Sequence, residues 1–135
     1  MARQPENTFI ASVHRLLPED VYRQKNHNPY NSGIPDCWYS GAESDLWVEY
    51  KFVELPKRND TIVPINLSEL QKAWIRRRCA EGRHVGVIVG CKDGGVWFPG
   101  ASWEAPVTKE TFYHQLPNRQ SLAEIIYMRT MLKAM

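Results

Sequence analysis

The run His84-Val-Gly-Val-Ile-Val-Gly90 limits the possible folds more than any other stretch of the chain. It is short, almost unbroken in its apolar character and rich in β-branched residues, the pattern of a strand covered on both faces. Such a strand needs neighbours at its sides and packed layers above and below it, so it is expected to sit centrally in a sheet. Composition sets how many such sheets there are. With 135 residues and 43% hydrophobic content the chain supports a single domain over residues 1–135, because two independent domains would each bury too little.

A second strand reads differently. In Leu46-Trp-Val-Glu-Tyr-Lys-Phe-Val53, Leu46, Val48, Tyr50 and Phe52 point one way and Trp47, Glu49, Lys51 and Val53 the other. Glu49 and Lys51 therefore share a face with bulky apolar residues. Upstream, Gly33-Ile-Pro-Asp36 leads into a short strand, Asp36-Cys-Trp-Tyr39, and Ser40 to Asp45 forms the turn that makes Leu46 to Glu54 its hairpin partner. This puts Asp36 and Glu49 on adjacent strands. Charges on a buried face are costly unless compensated. A divalent cation held by Asp36 and Glu49 supplies the compensation, with Lys51 beside it to orient a water or to stabilise charge on a phosphate.

Three helical patterns surround these strands. The first runs from Pro5 to Leu17 with Phe9, Ile10, Val13, Leu16 and Leu17 at helical spacing, and Pro18 closes it. Glu6 lies on the inward side of this helix, either as a favourably placed first-turn acid or as a third carboxylate reaching into the site. The second begins at Ser68, whose Ser-x-x-Gln71 spacing is a capping box, and carries Leu70, Trp74, Ile75 and Cys79 on one face up to a stop at Gly82. The last starts at Ser121 with another box, Ser-x-x-Glu124, and places Leu122, Ile125, Ile126, Met128 and Leu132 in a stripe against the core or a second subunit. Between them, Lys92 to Gly95 is a turn leading to Val96-Trp-Phe98 in a terminal hairpin, and Thr108 to His114 is a short helix. Glu19 to Ser32 reads as a polar loop, and Leu55 to Pro64 as a proline-bracketed, basic loop able to move over the site.

Charge and cysteine usage exclude several classes. A net charge of +2 is too small to mark a nucleic-acid binder, so any basic surface has to come from local clustering. The candidates are Lys25 and His27, with Tyr30 and Asn31, at the rim before Asp36; Lys57 and Arg58 in the basic loop; and Lys72, Arg76 and Arg77, with Arg78 and Arg83, along the second helix. Each is either a solvated charge or a phosphate contact. Cys37, Cys79 and Cys91 are odd in number and lack Cys-x-x-Cys spacing, which argues against a disulfide framework and a structural zinc site. No apolar run has signal-peptide or membrane-spanning length, so a soluble, cytoplasmic protein without a membrane partner is expected.

Taken in order, Gly33-Ile-Pro-Asp36, Glu49-Tyr-Lys51, Ser68-Glu-Leu-Gln71 with Trp74, Gly82 and Val85 to Val89 cover roughly the middle half of the chain. This string resembles the PD-(D/E)XK nuclease superfamily, and within it the VRR-NUC and Holliday-junction-resolvase-like branch. The resemblance implies an α/β fold of the restriction-endonuclease type, a central mixed sheet flanked by helices. It implies Asp36 and Glu49 as metal ligands together with the Tyr50 carbonyl and Glu6, Lys51 as the catalytic lysine, and Gln71 as the polar residue completing the site. It further implies a Mg²⁺-dependent DNA endonuclease, with Mn²⁺ able to substitute. No residue here reads bases, so selectivity is expected to come from DNA shape, strandedness or a branch point, and a junction cutter would need a homodimer. The small size suits a phage or mobile-element enzyme acting in the host cytoplasm. Two alternatives stand beside this reading: a catalytically inactive nucleic-acid-binding domain that keeps the nuclease fold, and a structural domain whose Trp38, Trp47, Trp97 and Trp103 meet protein partners.

Overall fold

Alternation along the strands becomes two separate apolar layers, one on each face of a five-stranded sheet. The computed structural model describes residues 5–26 and 33–133. Strands β1 (Tyr22–Lys25), β2 (Cys37–Ser40), β3 (Asp45–Phe52), β4 (Val85–Cys91) and β5 (Gly94–Pro99) lie side by side in chain order. The β3–β4 pair is parallel and every other pair antiparallel. A parallel neighbour cannot be reached by a tight turn. The crossover is provided by the segment after β3 and by helix α2 (Glu69–Ala80).

Helices α1 (Pro5–Leu16) and α4 (Arg119–Met131) cover one face. Phe9, Ile10, Val13, Leu122 and Ile126 pack there on Leu46, Val48, Tyr50 and Ile88. Helix α2, a 3₁₀ turn at Ser102–Glu104 and helix α3 (Lys109–His114) cover the other, where Ile75, Trp103 and Phe112 meet Val85, Val87, Val89 and Phe98. All of β4 is buried, as its unbroken apolar run requires. Its glycines set how closely one layer approaches: a Cβ on Gly90 would stand 2.7 Å from the Phe9 ring.

The segment before Asp36 departs from the sequence reading. Tyr22–Lys25, expected as loop, is an edge strand paired with β2. Its mostly exposed residues carry no apolar alternation, so pairing with a neighbour, not burial, makes it a strand. Helix α4 begins two residues earlier than expected. Its N-cap is Asn118, whose Oδ1 accepts from the Ser121 N–H at 2.9 Å, so Ser121 lies within the first turn. The α4 stripe is also rotated. Thr130 is buried and donates to the Ile126 carbonyl at 2.8 Å, while Met128 and Leu132 are 57% and 50% exposed. On α2, Leu70 is exposed and Ile75 alone is fully buried.

The basic segment after β3 is tied down along much of its length. Val63 N–H donates to Val107 O at 2.9 Å, Lys109 N–H to Thr61 O at 2.8 Å and Glu110 N–H to Asn59 O at 3.0 Å, with Val63 and Leu67 buried. The three cysteines are free, and among the described residues no helix is long and apolar enough to cross a membrane.

Candidate active site

The site forms where β2 leaves β3. Their ladder ends at Cys37↔Val48, so Asp36 stands beyond it, opposite Glu49. On the other side of β3, Trp47 N–H donates to His84 O at 3.0 Å and Val53 N–H to Gly90 O at 2.8 Å. Odd-numbered residues of β3 thus turn their backbone groups to β4, and Val48 and Tyr50 turn theirs toward β2. With β2 ended, the Tyr50 N–H loses its ladder partner, and Asp36 Oδ2 accepts from it at 3.0 Å. By the same alternation the Tyr50 carbonyl is presented to the notch that Asp36 occupies.

Glu49 is held from two directions. Its Oε1 accepts from the Asp36 N–H at 3.1 Å and its Oε2 from Gln71 Nε2 at 2.8 Å. The capping box at the start of α2 fixes the Gln71 amide, because Gln71 Oε1 accepts from the Ser68 N–H at 2.9 Å while Ser68 Oγ accepts from the Gln71 N–H at 3.1 Å. One side chain therefore closes a helix terminus and positions an acid. Lys51 Nζ lies 4.0 Å from Glu49 Oε2, with 24% of its side chain exposed against 2% for Glu49. Gly33 seats the loop on α2. Its φ of 84° is left-handed, and a Cβ there would come within 2.4 Å of the Leu70 carbonyl oxygen.

Electrostatically the notch holds more acid than the single Lys51 ammonium offsets. Burial, reinforced by Asp36 and only partly offset by Lys51, pushes the Glu49 carboxyl up to about 9. Glu6 is also raised, by burial first and then by Asp36, against the lowering effect of Lys51, the Phe52 N–H and Lys25. Glu6 is thus close enough to feel the pair, as its place on α1 suggested. Among the described residues no three His, Cys, Asp or Glu side chains close around one point, and Glu6 stands near enough to Asp36 for their charges to interact. The donor set is nonetheless suited to a hard divalent cation, since Asp36, Glu49 and the Tyr50 carbonyl are all oxygens and a desolvated carboxylate awaits compensation.

A buried network beneath the site had no sequence signal of its own. Tyr50 Oη and Tyr39 Oη are 2.7 Å apart, and Tyr39 Oη is 2.7 Å from His14 Nε2. Burial, with Arg23 and Lys25, lowers His14 to about 4, so its ring is neutral near pH 7. The chain braces Tyr50 from the face opposite Glu49. Alternation placed Tyr39 and Tyr50 inward, but nothing local tied them to His14, twenty-five residues before Tyr39.

The expected basic contacts are dispersed. Lys25 donates to Asn7 Oδ1 on α1, and His27 lies outside the described residues, as do Tyr30 and Asn31. Arg58 pairs with Asp60 at 3.5 Å and Lys72 with Glu69 at 3.4 Å. Arg76 pairs with Glu104 over the Trp103 ring, and Arg77 pairs with Glu81 at 3.5 Å. The cationic face of α2 is thus engaged with the chain's own acids. Trp38 stacks on Trp47, whose ring meets that of Trp74 at 59°, so half-buried rings run from β2 across β3 to α2, and Trp103 belongs to the core.

The five-stranded mixed sheet with helices on both faces matches the fold of an archaeal Holliday junction resolvase. Among solved structures, the chain is similar to Hjc, a Holliday junction resolvase from the archaeal hyperthermophile Archaeoglobus fulgidus, with a TM-score of 0.52 over 87% of this chain and 99% of that one. The two share 10% sequence identity, so the likeness is one of fold. No protein-family model and no curated protein matches the sequence.

Proposed function

We propose that the chain is a Mg²⁺-dependent DNA endonuclease selective for branched or junction DNA, of the PD-(D/E)XK type and its VRR-NUC and Holliday-junction-resolvase-like branch. The observation that carries this reading is the notch itself. Asp36, Glu49 and Lys51 converge at the point where β2 leaves β3, in a fold shared with a junction resolvase. Asp36, Glu49 and the Tyr50 carbonyl would hold the ion, with Glu6 as a further carboxylate ligand from α1. When bound, a divalent cation supplies Lewis-acid stabilisation of a phosphodiester and a water of lowered pKa.

The chain's own residues do the rest. Lys51, more exposed than Glu49, donates to the attacking water or to a phosphate oxygen on which charge develops. Gln71 keeps Glu49 in place, and Asp36, anchored on the Tyr50 N–H, keeps an acceptor in the notch. Cutting a junction symmetrically takes two such sites and hence a homodimer, for which the exposed Leu16, Met128 and Leu132 are the candidate contact.

The test is cleavage of single-stranded, linear duplex, supercoiled, flapped and four-way-junction DNA with Mg²⁺ or Mn²⁺, beside Lys51→Ala. Cleavage of branched substrates by the native chain, lost in a folded Lys51→Ala protein, is the expected result. Full activity in that variant overturns the assignment. DNA binding without cleavage by the native chain transfers it to an inactive nucleic-acid-binding domain.

A further inference from the structure

The two parallel strands run out at their carboxyl ends into a cavity of about 850 Å³, floored by Val53, Leu55 and Cys91 and rimmed by Lys57, Lys92 and Lys109. In α/β sheets this end of the strands is where ligands are seated. Val53 is two residues beyond Lys51 on the same face of β3, a separation of about 7 Å. The cavity therefore opens beside the candidate active site.

Its charges are arranged unlike those of α2. Lys72, Arg76, Arg77 and Arg58 are each paired with a carboxylate of the chain. Among the described residues, Lys57, Lys92 and Lys109 have no carboxylate within 4.0 Å, although Glu54, Asp93 and Glu110 also line the cavity. Lys109 Nζ donates to the Lys57 carbonyl at 3.4 Å, which seats its ammonium beside the Lys57 backbone. Tyr113 stands over the same cavity, 51% exposed, its ring without an aromatic partner among the described residues.

We propose that this groove seats unpaired nucleotides of the strand that passes Lys51, with Lys57, Lys92 and Lys109 on phosphates and Tyr113 stacked on a base. The chemistry matches part by part. A nucleotide presents an anionic phosphate to the lysines, a flat apolar base to Tyr113 and the floor, and base N–H donors to the acids. Bases splayed from a strand are bound by such aromatic platforms, whereas paired bases are not available to stack. The volume is that of a small-ligand pocket, suited to single nucleotides and not to a double helix. The proposal rests on the nuclease reading and makes it specific: the preferred substrates carry unpaired nucleotides next to the cleaved bond.

The test separates binding from cleavage. Fluorescence anisotropy in EDTA, over a range of salt, compares a labelled oligothymidylate with a blunt duplex of equal length, for the native chain, Lys92→Gln/Lys109→Gln, Tyr113→Ala and Tyr113→Phe. The expected result is tighter binding of the single strand by the native chain. Its salt slope falls by about 1.4 in the double lysine variant, at about 0.7 per phosphate contact. Tyr113→Ala weakens the single strand by about 5- to 150-fold, Tyr113→Phe restores it, and duplex affinity is unaffected. Unchanged single-strand affinity and slope in folded variants overturn the proposal. So does saturation of the groove by free thymidine monophosphate with no advantage for the oligonucleotide. A native chain that binds single strands through the groove and cuts nothing removes the nuclease reading and leaves the groove standing. A chain that cuts branched DNA with groove variants unimpaired does the reverse.

Discussion

Glu49 should make the metal-free protein lose stability as the solution turns alkaline. Its carboxyl is pushed from the ordinary 4.5 up to about 9 in the folded chain by burial and by Asp36. Above pH 4.5 the unfolded chain releases this proton while the folded chain keeps it, so stability is lost progressively until the pH passes about 9. Glu6, raised for the same reasons, acts in the same direction. His14, lowered to about 4, acts oppositely, since its contribution is complete above 6.5 and lost as the pH falls toward 4. Between neutrality and pH 9 the loss comes chiefly from the carboxylates, with the Cys37 thiol, which burial pushes up to about 12, adding in the same direction toward pH 9. One proton difference is worth about 1.4 kcal/mol per pH unit, which sets an upper limit of about 3 kcal/mol for Glu49 over two units. Urea denaturation at several pH values in EDTA measures it, with Glu49→Gln as the control. Both Glu49 oxygens accept from N–H groups. A Gln at this position therefore sets an amide donor against a donor, lowering stability by about 1–3 kcal/mol at every pH without adding a slope. Mg²⁺ should flatten the native slope, because it displaces the Glu49 proton and so binds more tightly as the pH rises, and at one hundred times its Kd it adds about 2.7 kcal/mol to the folded state. Parallel native and Glu49→Gln profiles, or a native slope indifferent to Mg²⁺ and Mn²⁺, would refute the account of the notch.

Other substitutions test the parts separately. Gln71→Ala removes half the capping box and the donor to Glu49, and should cost about 1–2 kcal/mol in chemical denaturation and weaken Mg²⁺-dependent stabilisation; a helix-only role would leave the metal response intact. Gly33→Ala forces a left-handed φ and a 2.4 Å contact with Leu70 on a residue with a Cβ; a loss of about 1–3 kcal/mol is expected, and a stability equal to that of the native chain would show that the Gly33–Leu70 approach relaxes freely. Arg76→Ala/Arg77→Ala should scarcely alter the salt slope of DNA binding, because both guanidiniums already have carboxylate partners; a drop of about 0.9 per residue for duplex would return α2 to the interface. Met128→Glu should convert a homodimer to monomers in light scattering, and a native chain that is monomeric at high concentration would rule that surface out as an interface.

The sequence by itself determined the features governed by local rules. Periodicity of two assigned the faces of β3, so Glu49 and Lys51 were known to share a side before any neighbour was known. The capping-box spacing placed the start of α2 at Ser68, and the unbroken apolar run gave β4 a buried position. The hairpin reading put Asp36 and Glu49 side by side, and the Asp36 N–H does donate to Glu49 Oε1. Tertiary structure decided what depends on partners distant along the chain. Tyr22–Lys25 is a strand because an edge was available for its backbone to pair with, which no side-chain pattern records. Asn118 outcompetes Ser121 as a cap, and the exposure of Met128 follows from how α4 is rotated against α1 and the sheet. Ion pairing is decided in the same way: Arg76 meets Glu104, twenty-eight residues away, and is no longer a free cation, whereas Lys57, Lys92 and Lys109, scattered in sequence, gather at one groove. Charge is written residue by residue, but whether it is neutralised depends on which carboxylates the fold brings within a few ångströms.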